Sequence, residues 1–201
     1  ITPGRRFSAA AESYEWHADV QSRVATHLME LARGEMPRGG PGRILEIGCG
    51  TGQATQLFIE KGFGITAVEL GIKLAEFTRN RFRDYHRFKV INLPFEEYRT
   101  DDKYKLIFAA SAFHWINPGQ GYPLIHSLLE RDGWLALFWN SKSELAQTGM
   151  LYQKINEIYD KYYAEPQENI KLSHEEREKQ ITDSGLFGKV ISRKYPYTRT
   201  Y

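Results

Sequence analysis

Cysteine is almost missing from this 201-residue chain. Cys49 stands alone, so no intrachain disulfide can form and a reducing compartment fits. Long apolar runs are missing as well: none approaches the roughly 20 residues needed to span a bilayer, and no basic-then-apolar leader opens the sequence. Neither sign of charge is in excess, since 27 Lys and Arg stand against 25 Asp and Glu. That balance gives no global argument for nucleic acid or an anionic membrane as partner. The six histidines and one cysteine fall at no metal-ligand spacing. Internal repeats and low-complexity tracts are lacking too. What remains is a soluble, cytoplasmic globular protein of unassigned oligomeric state. Its first residue is Ile1 and not Met, the expectation being a trimmed N-terminus.

Aromatic and apolar residues are plentiful. The hydrophobic fraction of 41% over 201 residues is enough for the core of one α/β domain. Apolar positions between Phe7 and Ala32 recur at roughly helical spacing. A loop rich in glycine and proline follows, from Gly34 to Gly42. Strands and helices then alternate. Strands are predicted over Arg43–Ile47, Ile65–Leu70, Phe88–Leu93 and Lys105–Ala110, and a fifth over Trp134–Trp139. Helices are predicted over Thr51–Lys61, Ile72–Phe82 and Tyr122–Glu130, with Asp132-Gly133 as a turn. Leu145–Tyr163 and Leu172–Ser184 read as further helices, and Lys189–Tyr197 as a sixth strand. Strands joined by helices of this length imply parallel crossovers, hence a doubly wound, mostly parallel α/β sheet.

The segment Leu45-Glu46-Ile47-Gly48-Cys49-Gly50-Thr51-Gly52 lies at the tip of the first strand and opens the first helix. Glycines at alternate positions let backbone approach a ligand with no Cβ in the way, and the helix start presents free N–H groups. The carboxyl end of the strands is where a doubly wound sheet binds its ligand. Glu46 is placed to accept from a ligand ammonium. Glu69 ends the second strand, 21 residues after Gly48, where a carboxylate can accept from both hydroxyls of a ribose. An amino acid at one end and a ribose at the other describe S-adenosylmethionine. A nicotinamide oxidoreductase also uses an acid at about this distance. Its Gly-x-Gly-x-x-Gly spacing requires glycine where Gln53 stands, and it gives Glu46 no role. A non-catalytic cofactor-binding domain is a third possibility.

Glu46 to Gly52, with Glu69, resemble the first motif and acidic second-strand residue of class I S-adenosylmethionine-dependent methyltransferases. Leu106 to Trp115 and Leu128 to Asn140 resemble the fourth and fifth strand segments of their small-molecule branch. The resemblance implies a Rossmann-like fold and a single domain over 1–201. Within it, 1–40 would form an N-terminal helical lid and linker, 41–140 the cofactor-binding core, and 141–201 substrate-side helices and a sixth strand. The family's last strands would be missing from this chain. Lys105 stands where the family usually places an aspartate. Phe7 to Tyr14 and His17 to Gln21 resemble the opening of the biotin-pathway malonyl-carrier-protein methyltransferases, while Phe113-His114-Trp115 is similar to the group related to trans-aconitate methyltransferases. The acceptor implied is a small-molecule acid or one bound to acyl-carrier protein, methylated at a carboxylate oxygen.

By the same resemblance the cofactor would contact Glu46, Gly48, Cys49, Gly50, Gly52, Glu69 and Leu70. Phe95 and Glu96 would wall the adenine, and Ala110 and Trp115 would close the fourth-strand side. Tyr14 would lie over the pocket in the lid, the alternative being an aromatic packed on the core. His114 is the candidate catalytic residue, as a base for a hydroxyl or amine acceptor, unless it only orients the substrate. The basic run Arg79, Arg81, Arg83, Arg87 and Lys89 reads as a solvated helix end, or as a docking site for an acidic carrier. Glu175 to Lys179 reads as a solvated helix face.

Overall fold

The computed structural model describes residues 42–139 and 172–194, together with Thr26 and positions 150, 153–155 and 157–158. The lid assigned to 1–40, Tyr14 included, and most of the helix read over Leu145–Tyr163 lie outside the described residues. The six positions described between 150 and 158 are helical.

Five strands form one sheet: β1 (Arg43–Ile47), β2 (Gly64–Val68), β3 (Phe88–Ile91), β4 (Tyr104–Ala110) and β5 (Leu129–Phe138). Their order is β3-β2-β1-β4-β5, and every neighbouring pair is parallel. The helices are α1 (Gln53–Glu60), α2 (Ile72–Arg81), α3 (Pro118–Leu128) and α4 (His174–Asp183). The chain winds outward from β1 through β2 to β3. It then crosses back to lay β4 on the other side of β1. That reversal splays the loops after β1 and β4 apart and leaves a crevice at their carboxyl ends.

Side chains alternate across the sheet as the pleat requires. Leu45, Ile47, Ile107 and Ala109 join one buried cluster with Phe113, Tyr122 and Ile125. Ile44, Leu106 and Phe108 face the other way, onto Ala54 and Phe58 of α1. All of β4 is buried, which is why its sequence is a continuous apolar run. Lys105 is the exception. It is 9% exposed, and its ammonium donates to the Asp132 carbonyl at 3.0 Å.

Three elements differ from the sequence reading. Helix α3 starts at Pro118, four residues before the predicted Tyr122. Asn117 caps it by accepting from the Gly119 N–H at 2.9 Å, and Pro118 suits the first helical position, where no N–H is needed. β5 starts at Leu129 and not at Trp134. Tyr104 pairs with Leu129 and Leu106 with Trp134, so Asp132-Gly133 sits in a bulge within the strand and does not precede it. The sixth strand predicted over Lys189–Tyr197 is not formed in its described part: residues 189–194 join no sheet. Their side chains turn to α4 instead, Ser192 pairing with His174 and Lys194 with Glu175 at 3.3 Å.

The start of α4 carries a reciprocal cap. Ser173 accepts from the Glu176 N–H, and the Glu176 carboxylate accepts from the Ser173 N–H. Ser173→Ala should lower stability by about 1 kcal/mol. Urea unfolding checks this; a midpoint equal to that of the wild type would show that the cap contributes nothing.

Candidate functional site

The loop after β1 is shaped by three glycines in the left-handed region: Gly48 at φ 71°, Gly50 at 55° and Gly52 at 82°. Two of them also answer a steric demand. A Cβ on Gly48 would stand 2.5 Å from the Ala112 Cβ, and one on Gly52 would stand 2.4 Å from the Phe82 ring. These obstacles are protein, so a larger residue at either position disturbs the packing of the loop before any ligand is considered.

Neighbouring elements hold the loop from outside. The Glu69 carboxylate, at the end of β2, accepts from the Gly50 N–H at 2.9 Å and from the Gly71 N–H at 2.8 Å. Thr78 of α2 donates to the Gly50 carbonyl at 2.6 Å. Arg81, also on α2, donates to the Thr51 carbonyl at 2.9 Å and to the Gln56 side chain at 2.6 Å. Asn92, after β3, donates to the carbonyls of Glu69 and Leu70, which fixes the acid from its own backbone.

The basic run is exposed, as a solvated helix end is, and three of its members are also tied to backbone carbonyls. Arg81 is a strut of the loop, Arg87 donates to the Gly62 carbonyl at 2.8 Å, and Arg79 reaches the Val90 carbonyl at 3.3 Å. Arg83 remains largely exposed beside Asp84.

A cleft opens over this loop at the carboxyl ends of β1, β2 and β4. Its free space, open mouth included, is about 870 Å³. Glu46, Gly48, Cys49, Gly50, Glu69 and Leu70 line one part of it, and Phe95, Glu96, Ala110 and Trp115 another. Gly52 stands apart from the cleft and caps the start of α1. His114 is not among the lining residues. It sits in a single 3-10 turn, Phe113–Trp115, with its ring 4.9 Å from that of Trp115. Sequence reasoning missed Thr51, Ser111, Ala112 and Ile116, which also line the cleft. Ser111 alone among the described non-glycine residues has a positive φ, 53°. A backbone torsion of that kind leaves no compositional signal.

The two acids are buried to different ends. Glu46 is 1% exposed and accepts from the Thr55 hydroxyl at 2.5 Å. Burial, opposed by that hydrogen bond and aided by the charge of Glu69, pushes its carboxyl up to about 8. Glu69 is also raised by burial, but its two backbone N–H partners pull it back. A carboxylate offers about four acceptor directions, so each Glu69 oxygen keeps one for a ligand hydroxyl. Burial and both carboxylates drive the Cys49 thiol well above its ordinary value, which makes it an inert lining atom. Among the described residues, no group of three or more His, Cys, Asp and Glu could hold a metal ion. None of their helices is long and apolar enough to cross a membrane.

A family model described as a methyltransferase domain matches residues 44–133. Residues 44–133 form a methyltransferase domain.

The malonyl-[acyl-carrier protein] O-methyltransferase of Paenibacillus sp. (strain JDR-2) is 29% identical to this chain over 98% of it and 75% of its own length. The protein of that name from Acetivibrio thermocellus is 31% identical over 65% of the chain and 46% of its own length. The chain therefore spans three quarters of one of these relatives and less than half of the other. A solved S-adenosylmethionine-dependent methyltransferase from Clostridium acetobutylicum ATCC 824 shares the fold, with a TM-score of 0.56 at 18% identity, over 68% of this chain and 57% of that one. The glycine loop and both acids of the methyltransferase domain fall inside the matched residues.

Glu46 gives the domain a pH signature. Its carboxyl is near its ordinary value when unfolded and near 8 when folded, so the folded state binds the proton more tightly. That stabilisation is fully present below about pH 4.5 and is lost progressively up to about pH 8, by at most about 1.4 kcal/mol per pH unit. Glu46→Gln should flatten this decline in the ligand-free protein. Thermal or urea unfolding across pH 5–8 decides it, and an unaltered slope in the variant would mean that Glu46 is ionised throughout.

Proposed function

We propose that this chain transfers the methyl group of S-adenosylmethionine to a carboxylate oxygen of an acid presented as a carrier-bound thioester. The observation that carries the reading is the likeness to a malonyl-[acyl-carrier protein] O-methyltransferase over 98% of the chain. That likeness runs through the middle and C-terminal parts as well as the N-terminal segment. It therefore favours the carrier-bound acid over a free small acid, the alternative raised by Phe113-His114-Trp115. The Gly-x-Gly-x-Gly spacing and the buried Glu46 weigh against a nicotinamide enzyme.

The residues fit the cofactor. Thr51 lines the cleft, and its hydroxyl is buried without a hydrogen-bond partner among the described residues, a polar atom left unsatisfied at the edge of the site. Glu69 has acceptor capacity left for a ribose. Glu46 would be held ionised by a ligand ammonium. Phe95, 4% exposed, offers a flat apolar wall for adenine, with Glu96 beside it. The sulfonium supplies an activated methyl group, and a carboxylate acceptor, ionised at pH 7 with a reference value near 4, is already a nucleophile. The protein's work is then to bind, align and exclude water, and no residue has to remove a proton.

Methyl transfer from labelled S-adenosylmethionine to malonyl-carrier protein tests the reading directly, with free trans-aconitate and malonate as competitors. Better turnover of the free acids would favour the small-acid alternative. Glu69→Ala should weaken S-adenosylmethionine binding by about 1.5–3 kcal/mol, the scale of hydrogen bonds to a charged group; calorimetry showing full affinity in a folded variant would remove the ribose assignment.

His114 is held below its ordinary value, first by burial and then by the charge of Arg177, so it is neutral at pH 7. A base of this kind would be lost only as the pH falls below the ordinary imidazole range. With a carboxylate acceptor no such loss should appear, and His114→Gln should keep most of the turnover. A rate that collapses in both tests would assign His114 as the base for a hydroxyl or amine.

A further inference from the structure

The stretch Glu175 to Lys179 reads in sequence as a solvated helix face. The structure turns one member of it inward. Arg177 is half-buried, and its guanidinium carbon lies 4.1 Å from the centre of the Trp139 ring, an arrangement that holds a planar cation flat against an indole. Its Nε donates to the Leu172 carbonyl at 3.1 Å. The acids beside it on α4 are engaged elsewhere. Glu176 closes the helix cap, and Glu175 faces Lys194. No carboxylate forms an ion pair with Arg177 among the described residues. One of its five N–H donors is used by Leu172, which leaves its outer fork for a planar anion.

The position of this cation relates it to the cleft. Trp139 directly follows Phe138, whose carbonyl accepts from the Ser111 N–H at 2.8 Å, and Ser111 lines the cleft. The charge of Arg177 reaches His114, where it adds to the burial that lowers the imidazole, and Tyr122, where it opposes the burial that raises the phenol. His114 in turn packs on Trp115 at the cleft wall. The guanidinium therefore lies beside Trp139, just past the end of β5, next to the cleft wall at Trp115 and not among the residues that line it.

We infer that Arg177, braced on Trp139 beside His114 and Tyr122, is the residue that binds the carboxylate of the methyl acceptor. This rests on the methyltransferase reading for what the acceptor does, but not for the capture of the anion. A half-buried cation without a counter-charge among the described residues gains most from an anionic ligand, and a bidentate grip on one carboxylate would present its oxygen in a fixed direction. The same contact gives specificity: an acid would be held, and its methyl ester, having lost the charge, would be released.

The test measures binding of malonyl-pantetheine and of its methyl ester to the full chain, with and without S-adenosylhomocysteine. The wild type should prefer the acid. Arg177→Gln should weaken the acid about tenfold or more, the scale of a charge-assisted hydrogen bond, and leave the ester and S-adenosylhomocysteine unchanged. Arg177→Lys should recover part of the loss. Equal affinity of the wild type and Arg177→Gln for the acid overturns the inference, as does an equal loss for acid and ester. Acid capture lost in Arg177→Gln, in a protein that fails to bind S-adenosylhomocysteine, supports the Arg177 site and overturns the methyltransferase reading. Should Arg177→Gln fail to fold, phenylglyoxal modification of the wild type, mapped by mass spectrometry, replaces it. Protection of Arg177 by the acid and not by the ester supports the site, and absence of protection overturns it.

Discussion

The Glu69 carboxylate bridging the Gly50 and Gly71 amides is the contact on which the rest of the site depends. The loop after β1 has to turn sharply and still point its amides toward a ligand. Its glycines supply the torsions but no rigidity, because glycine loses more freedom on folding than any other residue. The restraint comes from the next βα unit. Glu69 ends β2, Thr78 and Arg81 project from α2, and all three close on the loop's backbone. Asn92, from the end of β3, then pins Glu69 itself. The ends of β2 and β3, with α2, thus brace the turn after β1, which is possible because β1, β2 and β3 are parallel neighbours whose carboxyl ends come out together.

That arrangement sets two acids in a largely apolar crevice, each held in a different way. Glu69 has two amide partners that favour its charge. Glu46 has one hydroxyl and a negatively charged neighbour, and burial dominates. An acid left half-satisfied in this manner is unfavourable in the empty protein and favourable beside a cation. The same logic recurs at Arg177 with the sign reversed. A cleft lined by buried carboxylates, with a guanidinium beside it that has no carboxylate partner among the described residues, is matched to a cationic cosubstrate and an anionic acceptor. Electrostatics then orients the two partners before shape does.

The basic residues at the end of α2 and in the loop beyond it behave in a related way. Arg79, Arg81 and Arg87 look like a solvated patch because their spacing is that of a helix end running into a loop. In the folded chain they are exposed, and each also donates to a backbone carbonyl, which fixes its geometry and leaves its charge at the surface.

The alternation of apolar strands and helices made the doubly wound sheet legible from the chain alone, because parallel crossovers and the pleat leave periodic signatures. The glycine loop with Glu46 and Glu69 was legible for the same reason: their spacing is local, and the strand ends they mark are adjacent. Helix and strand boundaries at Pro118 and Leu129 were not, since a cap and a bulge depend on hydrogen bonds that composition does not encode. The absence of a strand over 189–194 was equally hidden, because its apolar and β-branched residues suit a strand, and only the competing contacts with α4 decide against one. The inward turn of Arg177, the Lys105 contact to the β5 bulge and the Arg81 strut all join residues far apart in sequence. Periodicity says which face of a helix is apolar, whereas which charge lies over which ring is decided only when distant elements pack.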